Sequence, residues 1–420
     1  VGKESLYATQ FKNLPIGQME EKFADYGEVQ IKQLNDRSKM YYTPNKENNV
    51  FQLVVQYGAG EREFPKLGYA AQLMNNAGIM GAYEPQELKE ELSKLNATCH
   101  VTADDDNLYI IMEGYEATLP QACQLLSRQI LMPKLDEKQL ARLKGSAMGM
   151  RQQPKDNVSI LNEALRQYML YGEKSDYIKE LTDKEIYELQ ISELTGDINR
   201  ASNYEAKVFF TGTLPFDQVY DILSKNLPLV ANERPSNSPQ AKEMMPVTEN
   251  TVYFLPNNDA EQAQIHLYIP MQKADKKDDV LRSAFNQYFG LDFTGIVLNE
   301  IREKRSMAYT AYAFVGTQGI AGKASYLRGY IGTQNDKAND ALDVLMSLVN
   351  DMPKNPERIG NIKSYLRQAM LTSHPSFRNK AMELVDLGYR GYTDDPAKEN
   401  LPKVDALTFD DIVIFYVLNF

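Results

Sequence analysis

The stretch LNEIREKRSMAY, Leu298 to Tyr309, carries the residues best suited to chemistry in this chain. Ile296, Val297, Leu298 and Ile301 recur at helical spacing before Arg302, whereas AYTAYAFVG from Ala308 alternates as a strand does. Arg302 therefore closes a helix and Tyr309 opens a strand. Arg302, Lys304 and Arg305 also suit a plainer role, because cations complement the negative end of a helix dipole. Elsewhere the residues offer little. The three histidines, His100, His266 and His374, include no pair four apart and no adjacent glutamate. His100 and His266 fall in strand patterns and read as structural, and His374 before Pro375 reads as a turn. Three convergent metal ligands cannot be assembled from them, so no metal site is expected. No G-x-S-x-G, P-loop or cysteine–histidine nucleophile pattern occurs. Cys99 and Cys123 are too few for a disulfide framework and fit two buried thiols.

The elements that must position Arg302 and Tyr309 belong to a chain of 420 residues, 43% hydrophobic and 25% charged, which is long enough for two or three domains. A net charge of −11 and a pI near 5.1 argue against nucleic acid as a partner and weakly favour basic peptides. No apolar run reaches the roughly 18 residues of a membrane span. Val1 opens a polar stretch without an initiator Met or signal-peptide core, so the chain reads as a piece of a soluble protein of unassigned compartment.

Two segments share one order of elements. The first runs strands EVQIKQL, SKMYYT and FQLVVQYG, helices over 66–77 and 84–95, and strands TCHVTAD and NLYIIME. The second runs strands TVYFL and QIHLYIP, helices over 277–290 and 292–305, and strands AYTAYAFVG and ASYLRGYIG. Further helices follow in both, and TLPQACQLLSRQILMPK matches KANDALDVLMSLVNDMPK as LTDKEI matches LTFDDI. These matches predict an α+β fold of two homologous repeats, each a largely antiparallel sheet with helices packed on it. Residues 1–27 are expected to be a connector, 28–226 the first repeat, 227–250 a Pro-rich linker and 251–420 the second repeat. Counterparts of AKVFFTG and FDQVYDILSKNL are not reached before Phe420, so the second repeat is expected to be truncated at its C-terminal end.

The strand leading through YGAGEREFPKLGYAAQLMNNAG into a helix resembles the pitrilysin/insulinase family of zinc metallopeptidases, the inverzincins, whose active members carry H-x-x-E-H at this point. In that motif two imidazoles on one helix face bind Zn²⁺ and the glutamate activates water. Here the corresponding positions are Ala71, Met74 and Asn75, which supply neither a zinc ligand set nor a general base. The family's third ligand, a glutamate, should fall near LARLKGSAMGMRQQ, and no carboxylate occurs there.

LNEIREKRSMAYTAYAF followed by GYIGTQNDKANDAL resembles the family's non-catalytic half, in which an arginine and a tyrosine spaced as Arg302 and Tyr309 reach across a clamshell to the zinc site. The resemblance spans residues 28–420. It implies that Arg302 and Tyr309 bind substrate and donate to a peptide carbonyl as it becomes an oxyanion, while Lys304 and Arg305 remain solvated charges. The expected function is the non-catalytic half of a zinc metalloendopeptidase, inactive by itself. Its partners are a peptide substrate and a zinc-bearing catalytic half, in the same polypeptide or a separate subunit. The alternative is a catalytically inert structural or assembly subunit of the same fold.

Overall fold

Phe51, Leu53, Val55 and Tyr57 alternate along one strand and are all buried, the period-two pattern of a strand with its face on a core. Around it the computed structural model describes residues 5–7, 10, 20–151, 157–257, 260–291 and 294–420. The first sheet has β1 Gln30–Gln33, β2 Lys39–Pro44, β3 Val50–Tyr57, β4 Thr98–Ala103, β5 Leu108–Tyr115 and β6 Ala206–Gly212. Its order is β1-β2-β6-β3-β5-β4, antiparallel except between β2 and β6. The second sheet has β7 Gln262–Lys273, β8 Ala308–Thr317 and β9 Ala324–Gln334, antiparallel in the order β8-β9-β7. That is also the order of β4-β5-β3.

Helices cover one face of each sheet. Those used below are α1 Leu67–Met74, α2 Glu137–Arg151, α3 Val158–Tyr171, α4 Asp279–Phe289, α5 Lys380–Tyr389 and α6 Phe409–Asn419. In the first core Leu67, Ala70, Leu73 and Met74 of α1 meet Phe51, Leu53 and Phe210. In the second, Phe285 and Phe289 of α4 stack at 4.9 Å and pack with Leu327, Leu345 and Ile412. The matched LTDKEI and LTFDDI are both helix starts with capping boxes, Thr182 with Glu185 and Thr408 with Asp411.

The opposite faces are covered by exchange. Helix α5, late in the chain, lays Ala381, Met382 and Val385 on Val54, Phe209, Tyr41 and Ile111 of the first sheet. Helix α3, from the first half, meets the second sheet, with Asn162 Oδ1 2.6 Å from His266 Nε2. The strap 227–250 runs beside the first half: Asn35 Nδ2 donates to Glu233 at 3.0 Å, and Lys242 Nζ lies 3.0 Å from Asp105. Residues 24–28 are docked on the late helices, since Ala24 N–H donates to Asp395 at 2.7 Å and Lys380 pairs with Glu28 at 2.6 Å. Of the rest of the expected connector, residues 1–4, 8–9 and 11–19 lie outside the described residues.

An asparagine closes each matching sheet edge. Asn75, just after α1, donates from Nδ2 to Val101 O (2.9 Å) and accepts from Val101 N–H (2.8 Å) on β4. Asn286 on α4 makes the same pair with Val315 on β8, at 3.0 and 2.7 Å. A carboxamide can do this because it presents one donor and one acceptor side by side, as a peptide does.

Two expectations need correction. TVYFL, residues 251–255, is no strand: Val252 and Phe254 are 87% and 83% exposed and no ladder forms. Apolar β-formers make a strand only where a neighbouring strand accepts their backbone bonds. The helix expected over 292–305 is a short turn of α-helix, Ile296–Leu298, running into a π-helix, Asn299–Glu303; residues 292–293 lie outside the described set.

Asn75→Ala and Asn286→Ala are each expected to cost about 1–3 kcal/mol of unfolding free energy in urea, since each strands a backbone N–H and C=O. A change under about 0.5 kcal/mol in both would exclude the edge-closing role. His266 gives a pH prediction. Burial, then Arg328 and Arg166, hold its pKa down to about 4, while the unfolded value is about 6.5. Its contribution is fully present above about pH 6.5 and is lost as pH falls towards 4, because the unfolded chain takes up the proton first. The urea midpoint of wild type should therefore drop more between pH 7 and 4.5 than that of His266→Gln; parallel pH profiles would refute the assignment.

Candidate functional site

Arg302 lies in the π-helix, in the last turn before β8. Lys304 N–H bonds to Asn299 O at 2.9 Å, five residues back. Ser306 N–H then donates to Arg302 O at 2.8 Å and Met307 N–H to Ile301 O at 3.0 Å. The Ser306 bond, four residues back, is an αL helix termination, with Ser306 at φ 50° in the left-handed position that glycine usually fills. A side chain there costs roughly 1–2 kcal/mol. Ile301 and Met307, packed in the second core, hold the reversal in place.

A second irregularity follows at once. Ala308 faces Thr333 and Thr310 faces Gly332, so Tyr309 is the extra residue of a bulge. A bulge re-aims the side chain it carries. The two devices bring the expected pair together: Arg302 Cζ sits 5.5 Å from the centroid of the Tyr309 ring. Tyr309 is 78% exposed, and among the described residues Arg302 has only Glu303 as an ionic neighbour, at 3.4 Å.

The other two cations are spent locally. Lys304 Nζ and Arg305 Nη1 both reach Glu300 at 2.6 Å, and Arg305 and Lys304 together hold the Glu300 carboxyl below the usual carboxylate range. The guanidinium and phenol of Arg302 and Tyr309 thus stand as two adjacent hydrogen-bond donors on a rigid turn. They can address a carbonyl oxygen that gains negative charge.

The zinc-motif positions do not fit a metal. Ala71 and Met74 are buried in the first core, and the Asn75 amide is committed to Val101. His100 is exposed on β4 and His374 is exposed after the helix Ile359–Thr372. Among the described residues no three His, Cys, Asp or Glu side chains are grouped to hold a metal ion. Cys123 is buried, Cys99 is half-buried, and neither forms a disulfide. No helix among the described residues is long and apolar enough to cross a membrane.

The sequence singles out Arg302 and Tyr309, which the structure brings side by side, but the bulge that aims Tyr309 was not expected. The clue was present: the inward residues of β8 are Ala308, Ala311, Ala313 and Val315, and the first step is three rather than two.

A family model, that of the peptidase M16 inactive domain, matches residues 202–363. No curated protein matches the sequence. The fold is similar to the peptidase M16 inactive domain from Pseudomonas fluorescens, at 18% identity and TM-score 0.67 over 91% of this chain and 93% of that one. It is similar to the periplasmic protease PqqL from Escherichia coli, at 13% identity and TM-score 0.69 over 98% of this chain and 48% of PqqL. A third similar structure is the ferredoxin protease FusC in complex with Arabidopsis ferredoxin, at 13% identity and TM-score 0.67 over 97% of this chain and 48% of FusC. The chain thus spans about half the length of these two proteases. Residues 202–363 thus match the model of the peptidase M16 inactive domain, and the chain as a whole shares the fold of these structures.

Proposed function

We propose that this chain is the non-catalytic half of a zinc metalloendopeptidase, built of two homologous repeats over 28–226 and 251–420, and that it binds peptide substrate while completing the active site of a zinc-bearing partner half. The observation that carries this reading is the Arg302–Tyr309 pair, stacked at 5.5 Å and presented to solvent while the neighbouring cations are neutralised by Glu300. The half-length matches to PqqL and FusC support a missing partner half. FusC was captured with a protein, ferredoxin, which supports a polypeptide substrate here.

Zinc-assisted water attack on the scissile carbonyl is assigned to the partner half. The residues of this chain act on the charge that attack creates. Tyr309 donates its hydroxyl proton to the developing oxyanion, and Arg302 offers a planar fork that holds the substrate main chain and stabilises the same charge. Donors fixed beforehand by a left-handed turn and a bulge need little reorganisation as charge develops.

In the two-half enzyme, Tyr309→Phe is expected to lower kcat by up to about 10²–10³, less if Arg302 shares the load. Arg302→Ala should lower kcat and weaken peptide binding, whereas Lys304→Ala and Arg305→Ala should change little. Unfolding of Tyr309→Phe should stay within about 1 kcal/mol of wild type, because the exposed hydroxyl strands no buried partner. Unchanged turnover in both Tyr309→Phe and Arg302→Ala would remove the active-site role and favour an inert assembly subunit. A further expectation follows from Ala71, Met74 and Asn75: after dialysis against zinc, this chain alone should hold no stoichiometric metal and cleave no quenched peptide. One tightly bound zinc per chain, with chelator-sensitive cleavage, would overturn it.

A further inference from the structure

Far from Arg302 in sequence, a cavity of about 950 Å³ opens beside α1 in the first half of the chain. That volume suits a small ligand or a large side chain with its neighbours. Pro65, Tyr69, Leu143, Ala147 and Met150 give it an apolar wall. The rest of the lining is ionic, and almost every charge is matched. Asp105 pairs with Arg62 at 3.2 Å and Lys242 at 3.0 Å, and Lys242 also meets Asp176. Arg151 meets Glu180 at 3.4 Å, and Lys174 meets Glu243. Lys179 is exposed at the rim.

Glu61 is different. It lines the cavity half-buried, and among the described residues its carboxylate has neither an ion pair nor a hydrogen bond. It lies against the first turn of α1, where a Cβ on Gly68 would come within 2.1 Å of Glu61 Oε1; the absence of that atom makes room for the carboxylate. Burial, then Asp105, Asp104 and Asp176, push its carboxyl above the usual range. A half-buried carboxylate without a partner calls for a cation. A metal ion would need several oxygen ligands, and the neighbouring carboxylates are already engaged by Arg62, Lys242, Arg151 and Lys174. An anion would find, among the described residues, only Lys179 without an ion pair, and that lies at the exposed rim. What fits an apolar wall ending in one free carboxylate is a cation on an aliphatic stem.

We propose that this cavity binds the basic side chain of a peptide, with Glu61 as its counter-ion and the Tyr69, Leu143 and Met150 wall covering the aliphatic stem. The proposal is independent of any catalytic role for Arg302 and Tyr309, and its test needs no partner half.

The test uses calorimetric titration of this chain with a short capped peptide carrying a central arginine, and with the same peptide carrying citrulline, which keeps the shape and drops the charge. Wild type should bind the arginine peptide about 10–100-fold more tightly, the range for one charge-assisted hydrogen bond. Glu61→Gln should abolish the difference between the peptides. Gly68→Ala, which keeps every charge but crowds the carboxylate, should weaken the arginine peptide alone. Urea midpoints check that both variants fold, and the comparison of the two peptides on wild type stands without any variant. Equal affinity of wild type for the two peptides, no measurable binding of the arginine peptide, or a preference that survives in Glu61→Gln would overturn the proposal.

Discussion

A sheet has two faces, and each half of this chain has its own helices for only one. The structure depends on how the second face of each is buried. Helix α5 crosses to the first sheet and covers Val54 and Phe209, while α3 crosses to the second sheet and meets His266 through Asn162. Because the exchange runs both ways, neither half buries its outer sheet face without the other. The surfaces joined are not purely apolar. Lys207 sits under α5 with its ammonium 5.8 Å from the Tyr389 ring, and burial lowers its pKa while burial raises that of Asp386.

That arrangement fixes a rigid platform, and the candidate site is built where the platform departs from regularity. A straight α-helix running into a flat strand would point Arg302 and Tyr309 along unrelated directions. The π-helix shifts the last turn, Ser306 reverses the chain, and the bulge at Tyr309 turns the ring back over the guanidinium. Each departure costs energy, and each is held by buried neighbours, Ile301 and Ala308 above all. Glu300 contributes by drawing Lys304 and Arg305 away, so that the exposed donors are the two that the turn has aligned.

The position after α1 has another use in this fold. The amide of Asn75 clamps the helix to the edge strand β4, and Asn286 repeats the clamp on β8. The side chain at this position is spent on closing a sheet edge. An edge whose central backbone groups are engaged is a poor template for an added strand.

Most of the strands and the helices capped by Thr182 and Thr408 could be read from the sequence, because period-two alternation and capping boxes are local properties of the chain. The sequence also determined that Ala71, Met74 and Asn75 cannot form the zinc motif, since ligand chemistry belongs to the residue type. Only the tertiary structure decided that TVYFL forms no strand, for that depends on a neighbour to bond with, and that the helices α3 and α5 are exchanged, for that depends on which apolar faces meet. It likewise decided that Arg302 stacks on Tyr309. Seven residues of separation permit many geometries, and the π-helix, the left-handed Ser306 and the bulge select one because the core beneath them holds Ile301, Ala308 and Ala311 in place.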